Sequence, residues 1–308
     1  MRRESFVSPL LVALWCVTSA SCGGTVPLDG SADVIRTERV WVDTSRATPS
    51  NGSFGGAPTR TLRTLIWQPV TTTPLPFVVM AHGFGALPED FDAFARTVAG
   101  AGFILAAPAF PLTNQNAPGG QLGVNDLINQ PGDLSFVITQ VLQAANTAGD
   151  PLYGRIVPAQ VAALGQSLGA ATVIGLTRKD CCRDTRVQAS ILSSAPLLSN
   201  SFGPGSLSIG PPTLILHGTA DTTVSFNTAK LLYNLIGPPR FLVGLEGAEH
   251  SDAVESQVEP PIPARADAQR ATIAFLDAVF HGADAQLDAV LTSLSAEGNV
   301  VQEDSGSL

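Results

Sequence analysis

The 308-residue sequence has little charge, no basic cluster beyond its first few residues and no visible internal repeat. Only 14% of the residues are charged, and the net charge is −9. Nucleic acids and anionic membrane surfaces bind basic proteins, so this composition argues against both as partners. In contrast, 44% of the residues are hydrophobic, which is enough for a sizeable core and unlike a disordered chain.

Cysteine and histidine are also scarce, with four of each. Cys181 and Cys182 are adjacent, and no second Cys or His pair accompanies them, which argues against a metal site. Neighbouring Cα atoms are closer than an ordinary disulfide prefers. The pair is therefore either two packed thiols or a vicinal disulfide that clamps the turn.

The first 33 residues are predicted to be an export segment and a tether. Residues 1–21 begin with positive charge, continue with an apolar stretch too short to span a bilayer comfortably, and end in small residues, as a signal peptide does. The alternative is a buried N-terminal helix. Cys22 follows small residues and resembles the lipidated cysteine of bacterial lipoproteins, although Ser19 stands where that pattern prefers an aliphatic residue. Residues 22–33 would then be a tether between this export segment and the fold. The protein would be either anchored through a lipid on Cys22 or released by ordinary secretion.

Short apolar runs alternate with helical patterns from residue 34 to residue 282. Strands are predicted at 34–42, 62–67, 77–81, 103–107, 161–164, 189–193, 213–217 and 241–245, and helices at 88–98, 134–145, 168–178, 227–236 and 264–280. This alternation predicts one α/β domain with a mostly parallel, doubly wound sheet and helices on both faces. Residues 283–308 are expected to be an acidic C-terminal tail with a helix and a frayed end.

Two connections bear on function. The irregular stretch at 108–131 is long, and loops of that length are usually functional. The connection at 195–212 is too short for a full cap domain. We therefore expect an open cleft, bordered by the 108–131 loop, that suits extended chains or surfaces better than a sealed small substrate.

A nucleophilic serine is predicted where Gly165-Gln166-Ser167-Leu168-Gly169 separates an apolar run from a helical stretch. A strand, a tight turn and a helix are the context in which G-x-S-x-G indicates a nucleophile. The glycines let strand and helix pass closely around a strained serine, and the turn lifts Ser167 Oγ clear of the sheet. The alternative is a chance match in a Gly-rich chain.

The base that Ser167 requires can be chosen by elimination among the four histidines. His82 and His217 each end a predicted strand before a glycine and are expected to be structural. His281 ends the closing helix and is expected to be solvated. His250 lies in the loop after the last long strand, at the same carboxyl edge as Ser167. It is the predicted base, with a surface histidine as the alternative.

The acid is expected between the serine and the histidine, in the chain order Ser, Asp or Glu, His. Asp221 lies just past the strand at 213–217 and fits that place, although it could equally cap the following helix. Asp180, Asp184 and Asp252 are poorer candidates, because the first two lie far from the required edge and the third follows the histidine too closely.

An oxyanion hole is predicted from two backbone N–H groups. Leu168 supplies one by its position after the nucleophile. Phe84, which follows the strand end at His82-Gly83, supplies the other. The alternative for 82–85 is a simple glycine turn.

Four motifs carry a family resemblance: Ala81-His82-Gly83-Phe84-Gly85, Gly165-Gln166-Ser167-Leu168-Gly169, Gly218-Thr219-Ala220-Asp221 and Glu249-His250-Ser251. Over residues 34–282 the chain resembles the α/β-hydrolase superfamily, and within it the lidless dienelactone-hydrolase-like, cutinase-like and polyester-degrading bacterial esterases. The segment at 181–187 also resembles one found after the nucleophile helix in many bacterial members. Phe84 and Leu168 stand where the polyester hydrolases often have Tyr and Met, which leaves activity on polymers open.

The expected function is a secreted or lipid-anchored serine hydrolase of carboxylic esters with a triad of Ser167, Asp221 and His250. No metal or organic cofactor is expected. The expected partner is a small or polymeric ester, the chain is expected to be a monomer, and a membrane would be reached only through lipidated Cys22. Two alternatives stay open, a hydrolase of lactones, thioesters or amides and a non-catalytic surface binding protein on the same scaffold.

Overall fold

A computed structural model describes residues 33–198, 201–255 and 263–306. The predicted signal peptide and most of the tether lie outside the described residues. Within them, the strands are β1 (Val34–Asp43), β2 (Arg60–Pro69), β3 (Leu75–Ala81), β4 (Ile104–Pro108), β5 (Ile156–Gln166), β6 (Val187–Ser193), β7 (Thr213–Gly218), β8 (Arg240–Leu245) and β9 (Val300–Asp304). The helices are α1 (Asp92–Gly100), α2 (Gln130–Ala145), α3 (Leu168–Arg178), α4 (Phe226–Leu235), α5 (Pro263–His281) and α6 (Asp284–Ala296).

The strands of the described chain form one nine-stranded sheet in the order β1-β2-β4-β3-β5-β6-β7-β8-β9. The six central strands, from β4 to β8, run parallel. The strands β1, β2 and β9 pair antiparallel at the two edges. The prediction of an α/β fold with a mostly parallel sheet is confirmed.

Helices cover both faces of the sheet. Residues of α1, α5 and α6 share one buried cluster, and residues of α2, α3 and α4 share another. Successive residues of β3 alternate between these clusters, with Val78 and Met80 in the first and Phe77 and Val79 in the second. Because both faces are covered, the strand reads as a continuous apolar run.

The prediction of a C-terminal tail at 283–308 is wrong for the described residues, 283–306, which form a helix and a strand packed on the fold. Helix α6 buries Leu287, Leu291 and Leu294 against the rest of the core, since leucines spaced by three and four residues share one helix face. Strand β9 then pairs with β8, where Val301 lies opposite Val243. This pairing satisfies backbone groups that would otherwise form an open sheet edge. The acidic composition of this segment gave no sign of β9, which forms because it can pair with β8.

Two further boundaries differ from the predictions. Helix α2 begins at Gln130 rather than at 134, because Pro131 is tolerated in a first turn, where its missing N–H has no helical partner. Strand β5 begins at Ile156, five positions before the apolar run at 161–164. In the connection at 194–212, the described residues form turns and bends without a helix or strand. No helix in the described part of the chain is long and apolar enough to cross a membrane.

The long 108–131 connection is fastened to the body of the fold by buried ion pairs. Arg60, at the start of β2, is fully buried between the carboxylates of Asp126 and Asp133 at 2.6–3.0 Å. Asn51 Nδ2 also donates to the carbonyls of Pro118 and Gln121, both at 2.7 Å. These bonds attach the connection to β2 and to the segment around Asn51.

Candidate active site

Ser167 occupies a strained turn between β5 and α3. Its φ of +51° is rare for a residue with a side chain. A Cβ at Gly165 would lie 2.2 Å from Gly169 O, and one at Gly169 would lie 2.1 Å from Ala81 O. Only glycine fits at either place, so the two glycines of the motif permit the close approach of strand and helix.

The structure brings the three predicted triad residues together. His250 Nε2 lies 2.9 Å from Ser167 Oγ, and His250 Nδ1 lies 2.8 Å from Asp221 Oδ2. A carboxylate only accepts hydrogen bonds, so Nδ1 carries the proton and Nε2 is free to accept from the serine hydroxyl. The Asp221 side chain is fully buried, whereas that of His250 remains 17% exposed.

Asp221 is oriented by its own turn. Its Oδ1 accepts from the backbone N–H groups of Thr223 and Val224, both at 2.8 Å. The alternative role as a helix cap is not observed, because Ser225 is the N-cap of α4 and its side chain accepts from Asn227 N–H. One oxygen of the carboxylate is therefore held by the backbone, and the other faces the imidazole.

His217, predicted to be structural, also contacts the carboxylate. Its Nε2 lies 2.8 Å from Val224 O and 3.2 Å from Asp221 Oδ2, so the N–H is directed at both oxygens. Burial lowers the pKa of His217, which favours the neutral ring. Its position four residues before the acid, at the end of β7, was the available sequence signal for this contact.

Sequence reasoning missed Ser194. This residue directly follows β6 and has a φ of +48°, and its hydroxyl donates to the backbone carbonyl of His250 at 2.8 Å. The contact joins the loop that carries His250 to the end of β6, the strand beside β5. A serine at a strand end carries no pattern that would have revealed it.

The turn at 82–85 lies against the nucleophile turn. A Cβ at Gly83 would be 3.3 Å from Ser167 Cβ and 2.2 Å from Gln166 Oε1, so the backbones approach closely here. Among the described residues, neither Phe84 N–H nor Leu168 N–H donates a hydrogen bond. Two unoccupied backbone donors thus lie on turns that contact each other, and their role in an oxyanion hole stays a prediction.

The side chain of His82 is hydrogen-bonded to the backbone of the turn at 82–85. Its Nε2 accepts from Phe110 N–H at 2.9 Å, which leaves Nδ1–H to donate to Gly83 O at 2.7 Å. Burial lowers the pKa of His82 to about 4, so the ring stays neutral. The structural role expected from the sequence agrees with these contacts.

The surroundings of the serine are apolar and partly open. Leu168 packs in a small buried cluster with Leu127, Ala171 and Phe202, which come from three different segments. The Phe84 side chain is 48% exposed. The Phe84 ring therefore presents apolar surface on the turn that lies against the nucleophile turn.

Cys181 and Cys182 form a vicinal disulfide just after α3. Of the two alternatives that the sequence left open, the structure has the bonded pair. Within the described ranges, no three His, Cys, Asp or Glu side chains are grouped as a metal ion would require.

Two comparisons with known proteins gave no match for this chain. No protein-family model matches it, and no curated protein matches it at a significant level. The interpretation of the site therefore depends on its own geometry.

Proposed function

We propose that this protein is a serine hydrolase of carboxylic esters built on an α/β-hydrolase fold. The observation that carries the proposal is the continuous contact from Ser167 Oγ through the His250 ring to the buried Asp221 carboxylate, at 2.9 and 2.8 Å. These are the roles of a nucleophile, a base and an orienting acid. The strained serine turn supports the same conclusion, since such strain is concentrated at functional sites.

In the proposed reaction, Ser167 Oγ attacks the ester carbonyl while His250 Nε2 takes the hydroxyl proton. The Asp221 carboxylate holds Nδ1–H and stabilises the positive charge that develops on the ring. The imidazolium then donates its proton to the departing alcohol, which leaves an acyl group on Ser167. Water, deprotonated by the same nitrogen, releases the acid and restores the free serine.

The tetrahedral intermediate would place its negative oxygen between Phe84 N–H and Leu168 N–H. Both donors are unoccupied within the described residues, and both lie on turns that contact each other. Leu168 also begins α3, whose free N-terminal N–H groups favour negative charge. Removing one such donor typically slows catalysis by roughly 10²- to 10³-fold.

The exposed Phe84 ring favours an ester with apolar acyl or alcohol parts. We also propose that the protein works outside the cytoplasm. The vicinal disulfide supports this location, because disulfides persist in oxidising compartments. The predicted export segment supports it independently.

The test is hydrolysis of p-nitrophenyl butyrate by the wild type, by Ser167→Ala and by Ser293→Ala as a surface control on α6. We expect the wild type and the control to release p-nitrophenol at equal rates and Ser167→Ala to release none above background. Equal rates for the wild type and Ser167→Ala would end the proposal. A series of p-nitrophenyl esters of increasing acyl length, with a polyester film alongside, would then define the substrate.

A further inference from the structure

A line of buried hydrogen bonds connects the two turns that carry the predicted oxyanion donors. Thr172, one helical turn after Leu168 in α3, donates from Oγ1 to Gln130 Oε1 at 2.5 Å. Gln130 Nε2 donates to Thr113 Oγ1 at 2.7 Å. The backbone carbonyl of Thr113 then accepts from Gly85 N–H, also at 2.7 Å.

All three side chains in this line are fully buried, and none is part of the triad. Burying a polar group is costly unless it is hydrogen-bonded, so an apolar residue would be the simpler filling for this space. Gln130 is instead bonded through both ends of its amide, to α3 on one side and to the 108–131 connection on the other. Such directional bonds set a distance more sharply than apolar packing does.

The bonded residues are neighbours of the donors. Gly85, which the line holds through its N–H, directly follows Phe84. Thr172 Oγ1 lies 3.2 Å from Leu168 O, so the same hydroxyl also contacts the first turn of α3. The line therefore spans from the residue that follows one donor to the helical turn that begins at the other, and none of its members is a triad residue.

We infer that Gln130 is a positioning residue that sets the separation of Phe84 N–H and Leu168 N–H. This inference rests on the proposed function, because the donors matter only if an oxyanion forms between them. The donors belong to segments far apart in the chain, and their alignment has to be maintained by tertiary contacts. Preorganised donors stabilise the transition state, whereas misplaced donors lose much of that stabilisation.

The test uses a pair of matched substitutions on α3. Thr172→Val removes the hydroxyl that reaches Gln130. Thr177→Val removes a hydroxyl that is also buried but that, among the described residues, donates to Val173 O, one turn back in the same helix. Thr172→Ser keeps the hydroxyl and serves as the rescue variant. Gln130→Met and Thr113→Val interrupt the line at two other points.

We expect kcat for p-nitrophenyl butyrate to fall about tenfold in Thr172→Val and Gln130→Met, with KM changed less than about twofold, since oxyanion contacts act in the transition state. Thr177→Val and Thr172→Ser should keep the wild-type kcat. The inhibition constant of a trifluoromethyl ketone, whose adduct with Ser167 carries an oxyanion, should rise in proportion to the loss of kcat/KM.

Equal kcat values for Thr172→Val, Thr113→Val and Thr177→Val would overturn the inference while leaving the esterase proposal intact. A rise in KM alone would overturn it too, because ground-state binding does not require the donors. If Gln130→Met does not fold, the two threonine variants decide the question. A wild type that hydrolyses no ester would overturn the proposed function, and this inference with it.

Discussion

Two histidines at the carboxyl edge of the sheet have similar places in the fold and different surroundings. His82 directly follows β3, and His250 lies in the loop that follows β8. The ring of His82 is buried in the core, and among the described residues its hydrogen bonds go to backbone groups, the N–H of Phe110 and the carbonyl of Gly83. The ring of His250 lies between a carboxylate and a hydroxyl and keeps some access to solvent.

In the proposed mechanism, this difference explains why His250 and not His82 acts as the base. The N–H of Phe110 occupies the basic nitrogen of His82, and no carboxylate bonds to the ring to stabilise a cation. At His250 the carboxylate would stabilise the imidazolium, and the second nitrogen faces a group that has a proton to give. The partners of the ring decide its role, because both histidines stand at the same edge. The following predictions sharpen or break this comparison.

The largest effect is expected for His250→Gln. Losing the base should lower kcat by roughly 10⁴- to 10⁶-fold, with little change in the free energy of unfolding. The matched variant His82→Gln should keep most of the activity, because the glutamine oxygen can still accept from Phe110 N–H. Measurements of kcat and of urea unfolding on both variants check this. Comparable losses of kcat in the two would contradict the comparison.

Asp221→Asn should lower kcat by about 10⁴-fold, because an amide N–H in place of the carboxylate oxygen favours the wrong imidazole tautomer. His217 cannot compensate, since its Nε2–H is a donor and is already directed at Val224 O. Burst kinetics with a p-nitrophenyl ester would measure the acylation step directly. A loss of less than tenfold would show that Asp221 does not orient the base.

His82 should make stability depend on pH. Burial lowers its pKa to about 4, whereas in the unfolded chain the pKa is near 6.5. Between these values the unfolded state binds more protons than the native state, so the free energy of unfolding falls as the pH is lowered from 6.5 to 4. The expected loss is about 3 kcal/mol.

The readout is the difference between wild type and His82→Gln in urea titrations at several pH values. The variant lacks the titrating ring, so its stability should change less across that window. Parallel curves for the two proteins would show that His82 is not held neutral by the fold.

The smallest effect is expected for Ser194→Ala. Losing the hydrogen bond to His250 O should cost about 1 kcal/mol of stability and lower kcat only a few-fold, because the triad contacts remain. Ser295→Ala, which removes an exposed hydroxyl on α6, is the control and should change neither quantity. A thermal shift assay and kcat together would show whether the base loop needs this contact. An unchanged melting temperature would show that it does not.

Sequence reasoning reached the catalytic candidates because each of them stands next to a strong local pattern. Ser167 is flanked by glycines in a strand–turn–helix context, and the candidate acid and base each follow an apolar strand. In a parallel sheet these strand ends share one edge, so convergence could be inferred from topology. The same reasoning failed for β9, whose residues become a strand only because β8 offers a free edge.

The hydrogen bonds that support the site could not be predicted from the sequence. Gln130, Thr113 and Thr172 are unremarkable polar residues in sequence, and their alignment arises from the packing of α2 against α3. Ser194 likewise acquires its role from a loop 56 positions later in the chain. Side-chain hydrogen bonds between distant segments leave no periodic pattern along the chain.

The amino-acid sequence by itself determined the alternation of strands and helices, the glycine-bounded serine turn and the choice of His250 among four histidines. Hydrophobic periodicity and backbone sterics are local properties, so they can be read along the chain. The tertiary structure alone decided which groups meet each imidazole, how α6 and β9 complete the fold, and how the two oxyanion turns are connected. These features depend on distances between residues remote in sequence, and such distances exist only after the sheet has assembled.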